Sequence, residues 1–143
     1  HEDCRRQRQM CIRDSMTPLQ ILTFYNAIAN QGEVVKPKFI HSTRKFGTND
    51  NKIYPKQILN KSIFSKNTNK ILQKMLYDVV HHENGTAKNI KSKHLKLSGK
   101  TGTAQVDYEK DSINYISSFV GYFPSDEPKY SCIIVINKPN KTK

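Results

Sequence analysis

The sequence contains no long apolar run and few cysteines. Of its 143 residues, 36% are apolar and 25% are charged, an ordinary balance for one globular domain. No stretch approaches the roughly 18 apolar residues that a membrane-spanning helix needs. The N-terminus also lacks the charged start and apolar run of a secretory signal. We therefore expect an exported protein only if the chain is part of a longer one.

Cysteine is scarce enough to exclude two kinds of site. Only Cys132 lies outside residues 1–15, so the rest of the chain offers neither an internal disulfide nor a zinc site with the usual number of ligands. Cys132 belongs to the apolar run SCIIVI, which predicts a buried and unreactive thiol. We expect no metal and no cofactor.

Residues 1–15 differ from everything after them. They hold two of the three cysteines and four of the five arginines, without apolar periodicity. We interpret them as foreign to the fold, similar to translated sequencing-adapter read-through. The alternative is a disordered basic arm. On either interpretation the fold belongs to residues 16–143.

Acidic residues are few. Beyond residue 15, twenty Lys and Arg oppose nine Asp and Glu, a net charge of +11. Such a charge raises the alternative of a basic nucleic-acid-binding module. However, nineteen of the twenty cations are lysines, scattered without an aromatic stripe, which favours a solvated surface and no nucleic-acid partner.

Two helices are predicted in the first half of the chain. Thr17 and Gln20 fit a capping box around Pro18, so a helix should run from there to about Asn30 and stop at Gly32. A second helix should follow Ser65 as N-cap and end near His81 or His82. Its buried face is predicted from this apolar series: Ile71, Leu72, Met75, Leu76, Val79 and Val80.

The end of the second helix has two adjacent histidines, His81 and His82. Neighbouring helical positions point about 100° apart, and no third ligand is in view. We therefore expect cations near the negative end of the helix dipole rather than metal ligands. Asn84 and Gly85 should form the turn that follows.

The remaining segments are predicted to be extended or looped. Residues 33–41 read as an irregular or edge strand interrupted by Pro37, and residues 42–52 as an exposed loop. After residue 93 the spacing of apolar residues changes from that of a helix to that of a strand. Three strands in an antiparallel meander are expected: residues 93–105, 115–123 and 130–137. The predicted fold class is α+β, with helices packed on an antiparallel sheet.

One dense motif runs through Ser98-Gly-Lys-Thr-Gly-Thr-Ala-Gln105. A phosphate-binding Walker loop would need glycine where His94 stands, and a helix directly after the motif. Neither condition is met. The alternative is the Lys-Thr-Gly element of the serine acyl-transferases that react with penicillin.

That alternative gives each residue a chemical purpose. Lys100 would supply a positive charge for a substrate carboxylate, and the hydroxyls of Thr101 and Thr103 would donate to it. Gly102 would leave room for a peptide to pair with the strand edge. The motif alone also permits a glycine-containing edge strand without any chemistry.

The order of segments resembles the back half of the transpeptidase domain in class B (monofunctional) penicillin-binding proteins of the division or elongation type. The matching blocks are TPLQILTFYNAIANQGEVVKPKFI, a long helix, NGTAKN, LSGKTGTAQ and SSFVGYFPSDEPKYSCIIVI. They cover residues 16–137. The resemblance implies a partial fold of the penicillin-binding, serine β-lactamase-like kind. It also implies a D,D-transpeptidase that cross-links peptidoglycan stem peptides through a serine acyl-enzyme.

The same resemblance implies a site, partners and a location. Lys100, Thr101, Gly102 and Thr103 would bind the acyl donor, and the Thr103 backbone N–H would form half of an oxyanion hole. The implied partners are stem peptides, β-lactam antibiotics and membrane proteins of division or elongation, with the intact protein anchored in the membrane and this domain on the periplasmic or outer face. A β-lactamase or lactam-sensor domain is the alternative within this class.

Two short matches to the family's other motifs lie in the wrong context. The first runs from Ser42 to Lys45, in a polar segment rather than a buried helix, and the second, Ser112 to Asn114, follows Lys-Thr-Gly instead of preceding it. We therefore expect the nucleophile and the general base to lie outside this chain. The family's closing helix is missing too, so the chain is expected to be incomplete at both ends and inactive alone.

Overall fold

The computed structural model describes residues 16–106 and 114–139. These residues contain two α-helices, α1 (Pro18–Ala29) and α2 (Lys66–His81), and a short 3-10 turn at Lys88–Ile90. The strands are β1 (Val34–Val35), β2 (Ser42–Arg44), β3 (Asn51–Ile53), β4 (Ile58–Asn60), β5 (Ser98–Val106), β6 (Asn114–Phe123) and β7 (Tyr130–Asn137). The predicted α+β class is confirmed.

Some predictions fall beyond this range. The interpretation of residues 1–15 and the match at Ser112 and Ile113 lie outside the described residues and stay predictions. Across the ranges 16–106 and 114–139, neither helix is long and apolar enough to span a membrane.

Helix α1 begins with the predicted capping box. The Thr17 N–H donates to Gln20 Oε1 at 2.7 Å, and the Gln20 N–H donates to Thr17 Oγ1 at 3.3 Å. Pro18 occupies the first turn, where its missing N–H costs nothing. After the helix, the Gly32 N–H donates to the Ala27 carbonyl at 2.7 Å, with Gly32 at φ +90°. Both predicted ends are confirmed.

The last turn of α1 is tied to α2 by two side-chain amides. Asn69 Nδ2 and Gln73 Nε2 both donate to the Ile28 carbonyl, at 3.2 and 2.9 Å. Carbonyls in the last turn of a helix have no partner within it, so α2 supplies the missing donors. Ile28, Leu76 of α2 and Tyr122 of β6 form the buried core beneath this junction.

Helix α2 begins at the predicted N-cap, because Ser65 Oγ accepts from the Thr68 N–H at 3.0 Å. Its predicted end at His81 is also confirmed. The predicted buried face is too wide. Ile71 and Met75 are 50% and 59% exposed within the described structure, because α1 and the sheet cover only the side that carries Leu76 and Val80.

The segment between the helices differs from the prediction. Only Val34–Val35 of residues 33–41 form a strand, and this strand pairs with Ile58–Asn60, which sequence reasoning missed. Residues 42–52 are not a plain loop. Ser42–Arg44 and Asn51–Ile53 pair as an antiparallel hairpin, and every residue in these two strands is exposed.

The C-terminal meander is confirmed as one antiparallel sheet in the order β5-β6-β7. Strand β7 has the predicted bounds, whereas β5 begins at Ser98 rather than at residue 93. Cys132 in β7 is half-buried rather than fully buried. Burial raises the pKa of its thiol, which keeps the sulfur in the protonated, unreactive form.

Candidate functional site

The motif residues occupy the middle of β5 at the border of the sheet. Lys100 lies opposite Val120 of β6, and Thr103 lies opposite Ser117. Within the described part of the chain, β5 pairs with β6 along one edge and with no strand along the other. Because this segment is a strand interior and not a strand-to-helix turn, the phosphate-loop alternative is excluded.

Strand alternation distributes the motif over two faces. Lys100 and Gly102 lie on one face of β5, and Thr101 and Thr103 lie on the other. Lys100 and Thr103 are exposed, whereas Thr101 is half-buried. Lys100 Nζ donates to the Thr101 carbonyl at 2.9 Å. Side chains on both faces of β5 can therefore contact a ligand that lies along its free edge.

Gly102 has more room than the other glycines of this sheet. A Cβ placed there would meet one neighbour, Ser118 Oγ at 2.7 Å, which is a rotatable side-chain atom. Ser118 Oγ donates weakly to the Gly102 carbonyl at 3.4 Å. Because Gly102 has no side chain, this position adds no bulk to the face of β5 that also carries Lys100.

The start of β5 is anchored to the turn between β6 and β7. Ser98, which is 1% exposed, donates its hydroxyl to Ser125 Oγ at 2.8 Å. The Ser125 N–H donates in turn to the Lys96 carbonyl at 2.9 Å. An exposed ion pair between Lys96 and Asp126, at 2.8 Å, lies beside these contacts. These contacts therefore fix the position of the residues that directly precede Lys100.

Thr86 is a site neighbour that sequence reasoning missed. Its Oγ1 lies 3.1 Å from Thr101 Oγ1. The sequence predicted only a turn at Asn84 and Gly85, which the structure confirms. No local pattern indicates which hydroxyl the next residue contacts, because that depends on how the end of α2 packs against β5.

His81 lies in the last turn of α2, as predicted, but its surroundings disfavour the charged form. Its ring stacks on Tyr77 with centroids 4.0 Å apart, and its Nε2 is buried without a hydrogen-bond partner in the described structure. Desolvation lowers the pKa of His81, and the nearby charges of Lys91 and Lys96 lower it further. Asp78 acts in the opposite direction. The neutral ring is therefore favoured.

His82, the C-cap of α2, contacts the turn that follows. His82 Nδ1 accepts from the Asn84 N–H at 3.2 Å. Among residues 16–106 and 114–139, no group of three His, Cys, Asp or Glu side chains is arranged to hold an ion.

The match from Ser42 to Lys45 lies on the hairpin of β2 and β3, outside the sheet that contains β5. Ser42 opens the exposed strand β2, opposite Ile53, and lies in neither a helix nor the predicted loop. Lys45 lies in the turn of that hairpin, where its N–H donates to the Asp50 carbonyl at 3.3 Å. Asn114 begins β6, while the rest of its triplet is outside the described residues.

Comparison with known proteins finds a family and a fold that match most of the chain. A model of the penicillin binding protein transpeptidase domain matches residues 7–143. Penicillin-binding protein H of Bacillus subtilis is 34% identical over 134 residues, covering 86% of the chain and 18% of the relative. A peptidoglycan D,D-transpeptidase FtsI homolog of Mesostigma viride is 28% identical over 140 residues, covering 88% of the chain and 23% of the relative. The chain thus spans about a fifth of the length of these curated relatives.

Solved structures with the same fold include penicillin-binding protein 3 of Mycobacterium tuberculosis. Its apo form superposes with a TM-score of 0.74 at 28% identity, covering 87% of this chain and 29% of that one. The same protein has been solved in complex with aztreonam and with ampicillin. Penicillin-binding protein 2B of Streptococcus pneumoniae gives a TM-score of 0.73 at 27% identity, over 87% of this chain and 22% of that one.

Proposed function

The chain belongs to the penicillin-binding protein transpeptidase family, and from this premise we propose that it is part of a longer peptidoglycan D,D-transpeptidase of class B. The intact protein would cross-link cell-wall stem peptides and would be acylated by β-lactam antibiotics. The observation that carries the proposal is the outer edge of β5, which pairs with no other strand among residues 16–106 and 114–139. It presents Lys100, Thr101, Gly102 and Thr103 in the middle of a strand anchored on its other side.

The proposed task of β5 is to bind the acyl donor. A stem peptide or a β-lactam would lie along the free edge as an added strand, with its carboxylate at the Lys100 charge and the threonine hydroxyls. Gly102 supports this arrangement because it adds no side chain between the strand and an approaching backbone. We further propose that the Thr103 backbone N–H stabilises the oxyanion that forms during acyl transfer.

The covalent step needs groups from elsewhere in the intact protein. A serine hydroxyl would attack the donor carbonyl, pass its proton to a general base, and expel the leaving amine of the donor. The amine of a second stem peptide would then attack the ester, forming the cross-link and freeing the serine. Ser42 is exposed on a hairpin strand, so we assign the nucleophile and the base to residues outside this chain.

Location and partners follow from the same proposal. The intact protein would be anchored in the cell membrane with this domain on its outer face, where stem peptides are cross-linked. Its protein partners would be membrane proteins of division or elongation. The lysines scattered over the surface would serve solubility rather than nucleic-acid binding.

Fluorescent penicillin labelling of the intact protein tests the proposal. We expect a stoichiometric adduct in the unaltered protein and a loss of about 100-fold in acylation rate for Lys100→Ala, the scale for one preorganised electrostatic donor. Lys74→Ala, at an exposed lysine of α2, is the matched control and should label normally. Normal acylation of the Lys100 variant would remove the assigned role, and rapid hydrolysis of the adduct would favour a β-lactamase instead.

A further inference from the structure

We propose that Thr86 is a positioning residue for acylation, acting through the hydroxyl of Thr101. This inference rests on the proposed function, because it assigns Thr86 to the carboxylate-binding end of the same strand. The two hydroxyl oxygens are 3.1 Å apart, within hydrogen-bond distance, and either can be the donor. Which of them donates decides what Thr101 can offer to a ligand.

Each threonine hydroxyl carries one proton, so only one direction of this hydrogen bond prepares Thr101 for an anion. If Thr101 donates to Thr86, its proton is occupied. If Thr86 donates to Thr101, the Thr101 proton is free to point toward the strand edge. A carboxylate only accepts hydrogen bonds, and it therefore selects the second arrangement, in which Thr86 also polarises the Thr101 hydroxyl.

Thr86 is held in place by its two neighbours. A Cβ on Gly85 would stand 2.4 Å from the Val79 carbonyl oxygen, so the backbone there lies directly against the end of α2. On the other side, the Ala87 N–H donates to the same carbonyl at 3.0 Å, and Ala87 is only 4% exposed. These two contacts hold the Thr86 backbone beside β5, and its exposed side chain reaches Thr101 from there.

Thr101 is equally constrained. It is half-buried, lies opposite Phe119 in the β5-β6 ladder, and its carbonyl accepts from Lys100 Nζ. The Thr86 hydroxyl thus joins the end of α2 to the one motif hydroxyl that is partly withdrawn from solvent. A defined hydroxyl orientation at this point increases affinity for an anion without a direct contact between Thr86 and the ligand.

The test uses the intact protein and compares benzylpenicillin with its methyl ester, which lacks the negative charge. Thr86→Val, which removes the hydroxyl and keeps the shape, should slow acylation by benzylpenicillin about five- to tenfold, the effect of one hydrogen bond. Thr86→Ser should restore the rate to within about twofold. The ester should react at nearly the same rate with all three proteins, because a neutral acceptor gains less from a polarised donor.

A second comparison separates positioning from folding. When Thr101 is already Val, Thr86→Val should cause no further loss, because the two residues act through one hydrogen bond. Thermal unfolding is measured for every variant, and Thr86→Ala replaces Thr86→Val if the latter does not fold. Equal losses with acid and ester, additive losses, or failure of serine to rescue would overturn the inference. An unaltered protein that forms no adduct at all would overturn the proposed function and, with it, this inference.

Discussion

Gly121 of β6 lies directly opposite Gly99 of β5, and a Cβ on Gly121 would stand 2.2 Å from the Ser98 carbonyl oxygen and 2.9 Å from the Gly99 Cα. Both obstacles are backbone atoms, so neither can rotate away. The two strands therefore approach here more closely than any other residue would allow. This close approach occurs one residue before Lys100 and holds the motif against the sheet.

Gly121→Ala should destabilise the protein by about 1–3 kcal/mol, because the added methyl group forces β5 and β6 apart. Urea unfolding of the intact protein measures this. The matched control is Gly102→Ala, where the nearest obstacle is the rotatable Ser118 hydroxyl at 2.7 Å. We expect the control to unfold at a clearly higher urea concentration than Gly121→Ala, and equal losses would contradict the role given to backbone contact.

The two amide donors to the Ile28 carbonyl should be partly redundant. Asn69→Ala should cost about 1–3 kcal/mol, because a buried hydrogen bond is lost, and Gln73→Ala should cost less because that side chain is only partly buried. After either single change, the Ile28 carbonyl still has one hydrogen-bond donor. The double variant should therefore lose more than the sum of the single losses.

A double-mutant cycle by urea unfolding checks this expectation, with Lys74→Ala as an exposed control on the same helix. Strict additivity would show that the two amides do not share the carbonyl.

The partial burial of His81, whose Nε2 atom is shielded from solvent, should make stability depend on pH. Because burial lowers the pKa of His81 in the folded state below its ordinary value near 6.5, the unfolded chain binds this proton more readily. The stabilising contribution is therefore complete above about pH 6.5 and is lost as the pH falls toward the lowered folded-state pKa. His81→Phe keeps a ring that can stack on Tyr77 and cannot be protonated.

We expect the free energy of unfolding of His81→Phe to fall less between about pH 7.5 and about pH 5 than that of the unaltered protein. Met75→Leu, at an exposed position of the same helix that carries no titratable group, should keep the unaltered pH dependence. If His81→Phe and the unaltered protein show the same slope, His81 is not the group responsible.

Ser42 should form no covalent adduct with penicillin. It lies on an exposed hairpin strand, and Lys45 lies exposed in the adjoining turn, so the two groups lack the rigid, enclosed geometry that nucleophilic attack needs. Mass spectrometry of this chain after incubation with a penicillin should show only the unmodified mass. In the intact protein, Ser42→Ala should leave labelling unchanged. An adduct mapped to Ser42 would show that the nucleophile was assigned wrongly.

Local chemistry was enough to predict the helix ends and the meander. The Thr17 capping box and the Ser65 cap are made by residues within three positions of each other, so the sequence contains all the information they need. Strands β5, β6 and β7 are joined by short connections, which makes antiparallel pairing of neighbours the natural outcome.

Features that depend on distant contacts escaped prediction. Val34–Val35 pairs with Ile58–Asn60 across more than twenty intervening residues, and each strand is too short to show a period of two. The burial of His81 and the contact of Thr86 with Thr101 both arise from how α2 lies against β5. The four motif residues and their alternation along a strand could be read from the sequence, whereas their neighbours across the ladder and at the end of α2 required the structure.

The hairpin of β2 and β3 offers a practical handle. Its strands pair only with each other in the described structure, and Phe46 at its turn is 103% exposed. A short epitope or a cysteine for dye attachment placed beside Gly47 would lengthen a self-contained ribbon without altering the register of β5. The intact protein could then be followed by fluorescence microscopy or captured on a surface while β5 stays unmodified.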